Sequence, residues 1–309
     1  MSLSLPLDAE RYYPDRREPV DRWFQTASAS NVRTTIEVIA ELAGPTCSAV
    51  VDPFAGGGSS AVAARLMNLP FHGIELDPVL ACVSLAKSRA TTGHAELLRR
   101  LPPIHDLESL RSVLTALPLL AGADDAAVAS CLAVVLALRA SRDSPLSHED
   151  IVGDLVRHRP PRPNSRLASA DATTLVPWGP LHVPEEGAVL YTSPQFGHRS
   201  PLLDAPPRLY AAARKVLTAT GAFHGRQTAP RDAGFVGTSV SMLRQAAAMM
   251  RSATVVIEHE PDDAGHDATE ETLERAAAAL PGRIHGPRVI VCGEFTWRGP
   301  LSLVVFDLR

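Results

Sequence analysis

The stretch "AVVDPFAGGGSSAVAARLMNLPFHGIELDP", residues 49–78, restricts the fold more than any other part of the chain. It opens on apolar residues and stops at Asp52. Pro53 and the glycines Gly56, Gly57 and Gly58 then enforce a turn. An alanine-rich run over 59–67 reads as a helix, and residues 71–75 read as a second strand closed by Glu75. A strand ending in an acid, a glycine turn and a helix N-terminus make a nucleotide-type cradle. The glycines let a ligand approach the backbone, and the helix start offers N–H groups. The second acid, 23 residues after Asp52, can accept hydrogen bonds from both hydroxyls of a ribose.

The remaining pattern is that of an α/β chain. Residues 1–30 are polar and irregular, with Arg11, Arg16, Arg17 and Arg22 close to Tyr12, Tyr13, Trp23 and Phe24. A helix is predicted over 31–43, capped by Asn31 and ended by Gly44-Pro45. Strand 48–52 precedes the glycine turn, and "DPVLACVSLAKSRA" follows the second strand as another helix. From about 94 to 150 each segment carries an apolar face, which interrupts the alternation. Residues 79–165 therefore read as a helical insertion, suited to a dimer surface or a lid. Within it "CLAVVLALRA" (131–140) is shorter than the ~20 residues of a membrane helix and fits a buried one. The basic, proline-rich "VRHRPPRPNSR" (156–166) reads as a loop. Alternation resumes with "RLASADATTL", then strands 187–192, 252–260 and 287–295. "TEETLERAAAAL" is predicted as a helix with a capping-box start at Thr269. "LSLVVFDLR" is the final strand, joined by the turn "TWRGP" into a C-terminal hairpin.

The glycine turn departs from both common nucleotide fingerprints. It lacks the G-x-G-x-x-G spacing, and Ser59 stands where a Walker A loop needs lysine. "DPFAGGGSS" instead resembles the D-P-F-x-G-S-G-T-T motif of S-adenosylmethionine-dependent amino-group DNA methyltransferases, the N4-cytosine and N6-adenine type. "GIELDP" is similar to their second motif and "ADATTL" to their third. "YTSPQFG" (191–197) resembles their catalytic T-S-P-P-Y-G at the tip of the fourth strand. The matches fall in the family's order over roughly 31–309, with 79–165 outside them. The resemblance implies an α/β fold: one class I methyltransferase domain over 1–309, with a doubly wound, seven-stranded, Rossmann-like sheet.

It also implies roles. Asp52 would stabilise the turn and face the ammonium end of S-adenosyl-L-methionine. Phe54 and Ala55 would line the pocket, and Gly56 and Gly58 would let the cofactor lie against the loop. Glu75 would bind the ribose diol and Asp171 the adenine amino group. Trp23 and Phe24 fit either a shelf for the cofactor tail or plain core packing. At the catalytic motif, Ser193 and the carbonyl of Pro194 would accept hydrogen bonds from the attacking amine, and Phe196 would stack on its ring. Gln195 replaces the family's second proline and restores a backbone donor and an amide. Three readings stay open: a retuned substrate, an ordinary amino methyltransferase, or a site that binds without catalysis.

Charge bears on the partner. The net charge of −4 is not that of a chain wholly adapted to phosphates, so nucleic-acid contact must rest on a local patch. Residues 198–231 supply one, with His198, Arg199, Arg208, Arg214, Lys215, His224, Arg226 and Arg231. Of these, His198, Arg199 and Arg226 are the candidate substrate contacts. DNA is the first expectation as substrate and RNA the second; a peptide or small molecule is the alternative. Four cysteines without C-x-x-C or zinc spacing suggest free thiols in a reducing cytoplasm and no metal site. No signal peptide or membrane span is expected.

Overall fold

The computed structural model describes residues 18–24, 31–104, 106–140, 146–158, 164–170, 172–173, 178–193, 207–219, 234–259, 269–295 and 299–309. Seven strands are found among them: β1 (Ala49–Asp52), β2 (Phe71–Glu75), β3 (Arg166–Ser169), β4 (Ala188–Thr192), β5 (Ala253–His259), β6 (Ile284–Phe295) and β7 (Gly299–Leu308). They form one sheet in the order β3-β2-β1-β4-β5-β7-β6. The first five are parallel, and β7 lies antiparallel between β5 and β6. This is the doubly wound, seven-stranded, Rossmann-like sheet expected, closed by a C-terminal hairpin. The strand order reverses between β1 and β4, which puts a crevice at their C-terminal ends.

The parallel strands are apolar at successive positions because helices cover both faces. Val50, Val189, Tyr191 and Val256 pack with Val38 and Ile39 of α1 (Val32–Ala43) and Ala61 and Ala64 of α2 (Ser59–Leu66). Their neighbours Ala49, Val51, Leu190, Val255 and Ile257 pack on the other face. There they meet Trp178 and Leu181 of α8 (Trp178–Leu181), Leu243 of α10 (Gly234–Met249) and Ala276 of α11 (Thr269–Ala279). Asn31 caps α1 as expected, accepting from the amides of Arg33 and Thr34. Gly44 ends it with φ +60, a left-handed value that glycine adopts without strain.

Among the described residues five helices lie between β2 and β3, where a parallel crossover needs only one. They are α3 (Pro78–Arg89), α4 (Thr92–Arg99), α5 (Leu107–Leu120), α6 (Ala123–Ala140) and α7 (His148–Arg157). Cys131 to Val135 of α6 are buried, in keeping with a core helix. Eleven of the twelve residues of α3 are buried, because α3 is enclosed by its neighbours rather than facing water on one side. The Cys82 and Cys131 sulfurs, on α3 and α6, lie 3.1 Å apart as free thiols.

Several boundaries differ from the sequence reading. The basic segment 156–166 is not all loop: Val156 and Arg157 end α7, and Arg166 begins β3. β6 starts three residues early, at Ile284, and Gly299 and Pro300 belong to β7. Thr269 lies within α11 rather than before it. The largest difference concerns residues 18–24 of the segment read as irregular. Asp21–Trp23 form a 3-10 turn, and Val20, Trp23 and Phe24 are fully buried. Trp23 and Phe24 join the core of α3 and α6, which is the packing alternative of the two readings. Polar pairing holds the segment there. Asp154 of α7 is fully buried and accepts from Arg22 through Nε and Nη2 at 2.8 and 2.9 Å, and from Trp23 Nε1 at 3.0 Å. Lys87 of α3 pairs with Asp21 at 3.0 Å and donates to the Phe24 carbonyl at 2.7 Å. The periodicity of 1–30 could not reveal this, because the partners lie 66 and more than 130 residues away.

Candidate functional site

The glycine turn leaves β1 at the crevice. Asp52, nearly buried, is its keystone. One carboxylate oxygen accepts from the Phe54 amide at 3.0 Å and from the Thr192 hydroxyl at 2.7 Å. The other accepts from the Ser60 hydroxyl. The acid thus ties the end of β1 to the turn, to the first turn of α2 and to the tip of β4. Burial is the main cause that lifts its pKa to about 6, against the lowering by its three donors.

The rest of the turn is closed by backbone. Ala55 donates its amide to the Ile74 carbonyl at 2.9 Å, and its carbonyl accepts from Gly58 at 2.8 Å. Ala55 is buried with the α1–α2 face, so it holds the turn from inside. Phe54 is half-buried and packs toward the opposite face. The glycines differ in what they permit. Gly56 has φ +49, and a Cβ there would meet nothing closer than the Phe54 carbonyl at 3.7 Å. Gly58 has φ +81, and a Cβ would come within 2.9 Å of the Ser84 Cα on α3. Gly58 therefore lets α2 and α3 approach each other, whereas at Gly56 a Cβ would make only ordinary contact and the left-handed backbone itself is what favours glycine.

Glu75, half-buried at the tip of β2, reaches across to the same turn. Its Oε2 accepts from the Gly56 amide at 2.7 Å and its Oε1 from the Asp77 amide at 2.8 Å. Burial, with Asp77 and Asp52 adding to it, outweighs these two bonds and lifts its pKa to about 7. A carboxylate oxygen has two lone-pair sites, so each can still accept a hydroxyl. Ser193 stands half-buried as the first residue beyond β4. Asp52, Glu75 and Ser193 thus end three adjacent parallel strands at the crevice.

Pro194, Gln195, Phe196, His198, Arg199, Arg226 and Asp171 lie outside the described residues. Of the basic segment, Lys215 is exposed on α9 (Pro207–Ala219), while Arg214 Nε lies 3.9 Å from Asp77 Oδ2. Arg214 is thus directed at an acid of the protein itself.

No family model and no curated protein matches the chain. Among solved structures, TrmN from Thermus thermophilus is similar, with a TM-score of 0.42 and 15% sequence identity. The match covers 95% of this chain and 52% of that one, so the chain spans about half of its length.

Sequence reasoning missed three groups here. Thr192 was read only as part of a motif, yet its hydroxyl joins β4 to Asp52. Ser60 completes the shell of Asp52. Asp77 caps α3 by accepting from Val79 and Leu80, and the D-P pair before an apolar run was a usable signal for that. Nothing local marks Thr192, because its partner sits 140 residues earlier. Among the described residues no cluster of His, Cys, Asp and Glu could hold a metal ion, and no helix is long and apolar enough to cross a membrane.

Proposed function

We propose that the protein is an S-adenosylmethionine-dependent N-methyltransferase acting on an exocyclic amine of a nucleic-acid base, DNA before RNA. On this reading 1–309 is one methyltransferase domain, with 79–165 inserted between β2 and β3. The observation that carries it is the bond from the Gly56 amide to Glu75, which joins the left-handed glycine turn after β1 to the tip of β2. The residues fit the cofactor. Glu75 retains acceptor capacity for a diol, and its raised pKa marks a carboxylate that gains from hydroxyl donors. Bound there, S-adenosylmethionine supplies a methyl group on a sulfonium that leaves readily.

The chain's own part is placement. Asp52 and Thr192 keep the turn and the tip of β4 in one arrangement. Ser193 Oγ accepts an N–H of the substrate amine and turns its lone pair toward the crevice. Pro194 and Phe196 add a second acceptor and a stacking face, as the motif resemblance implies, and the Gln195 amide reads the substrate. Arg199, Arg226 and His198 meet the phosphates.

Calorimetric titration with S-adenosylmethionine and its demethylated product tests the cradle, and labelled-methyl transfer to DNA, RNA, peptides and host extract tests the substrate. Ser193→Ala is expected to slow transfer by about ten- to a thousandfold with cofactor binding intact. Binding of neither ligand by folded protein sinks the reading. Binding with label only in peptide or small molecules, or in no pool, moves the function to those alternatives.

A further inference from the structure

The helix that follows the candidate catalytic motif reaches back to Asp77, the cap of α3 two residues beyond the end of β2. Tyr210 and Arg214 lie one turn apart on α9 and meet the same carboxylate. Tyr210 is buried in the core shared with α3, α5 and α6, and its hydroxyl donates to Asp77 Oδ1 at 2.6 Å. That oxygen also accepts from the amides of Val79 at 2.8 Å and Leu80 at 3.2 Å. The amide of Asp77 in turn donates to Glu75 Oε1, and Glu75 Oε2 holds Gly56. A hydrogen-bonded path therefore runs from α9 through Asp77 and Glu75 into the glycine turn.

An aspartate N-cap does not require a tyrosine. Two backbone amides already satisfy Asp77 as the cap of α3. A buried tyrosine hydroxyl needs an acceptor, but here it takes a carboxylate rather than a carbonyl. Burial beside Asp77 pushes its pKa far above the ordinary value, so the hydroxyl keeps its proton and remains a donor. The bond constrains the side chain of the residue whose amide aims Glu75.

We propose that Tyr210 is a positioning residue for the nucleoside end of the cofactor. It fixes Asp77, Asp77 presents its amide to Glu75, and Glu75 is held at the angle that meets a ribose diol. The inference rests on the reading of Glu75 as the diol acceptor. Because α9 follows the catalytic motif in the chain, it also links the substrate side of the crevice to the cofactor side.

The test uses the full chain and the demethylated cofactor as probe. Tyr210→Phe keeps the ring and removes the donor. It is expected to weaken binding by about three- to tenfold, the range of one ordinary hydrogen bond, with the unliganded melting temperature nearly unchanged. Asp77→Ser keeps a competent cap but shortens the reach to Tyr210, and should show the same weakening; it carries the test if the tyrosine variant does not fold. The readout that a packing role would not move is the double-mutant cycle with Glu75→Gln. In that background Tyr210→Phe should change affinity by less than about twofold. Wild-type affinity in Tyr210→Phe, or an equal loss with and without Glu75, overturns the inference while the function stands. A wild-type protein that does not bind the probe overturns both.

Discussion

Glu75 and Asp52 are carboxylates that the fold buries, wholly or in part, with hydrogen-bond donors and, among the described residues, without a close cation. Glu75 is lifted to about 7 and Asp52 to about 6, so Glu75 is in part protonated at neutral pH in the unliganded protein. Diol hydroxyls donate best to the ionised form. Below pH 7 the binding step must first remove a proton, and above it the acid is ready. Cofactor affinity is therefore expected to rise from pH 6 to pH 8, with a limiting slope of roughly tenfold per unit for one proton, and then to level off. Titration calorimetry at several pH values checks this, and Glu75→Gln should flatten the profile. A wild-type profile flat over that range would remove Glu75 from the diol. Thr192 matters at this level too. It is the residue through which the end of β4, and hence Ser193, is held against Asp52.

Among the elements, the segment 18–24 connects parts of the molecule that the sheet does not join. It meets α7 through Asp154 and α3 through Lys87, and Asp21 accepts from Ser59, the first residue of α2, at 3.3 Å. The segment thus braces the glycine turn from behind and latches the inserted helices to it. Lys87 is 1% exposed, so removing the carboxylate beside it leaves an ammonium in the core. Asp21→Asn is expected to cost about 3–5 kcal/mol in chemical denaturation, the range for breaking a buried ion pair. Adding Lys87→Met should recover a substantial part of that loss, since the charge goes with its partner. A double variant less stable than Asp21→Asn alone would show that Lys87 acts chiefly through its other bonds.

Across the molecule, the two raised acids set the sign of the pH response. An acid whose folded pKa lies above its unfolded value binds more protons in the folded state. It opposes stability as pH rises from about 4 to about 7, and its cost is complete above the folded pKa. These groups therefore make the unliganded protein more stable near pH 5.5 than near pH 8. Ligand that needs ionised Glu75 should reverse the order, and the demethylated cofactor should raise the melting temperature more at pH 8 than at pH 6. Differential scanning calorimetry with and without ligand reads both effects. A ligand-induced shift independent of pH would contradict the linkage.

Local sequence accounts for much of this architecture. Apolar runs and helical patterns, the D-P and glycine punctuation and the cap at Asn31 placed most of the expected elements to within a few residues, because each depends on neighbours in the chain. The same is true of Asp52, the glycines and Glu75, which belong to one strand–turn–helix–strand unit. Other features depend on partners that are distant in sequence. The burial of 18–24 depends on Lys87 and Asp154. The tie of Ser193's strand to Asp52 depends on Thr192, and the different uses of Gly56 and Gly58 depend on where α3 lies. Tyr210 lies in a stretch, 198–231, that the sequence marks only by its basic residues. It touches the candidate cofactor acid's neighbour because α9 packs on α3, a contact that no pattern within either helix specifies. Residue type and spacing encode which elements form and which acids end their strands. The contacts that aim those acids arise only when the sheet brings the strand tips together and the helices close over them.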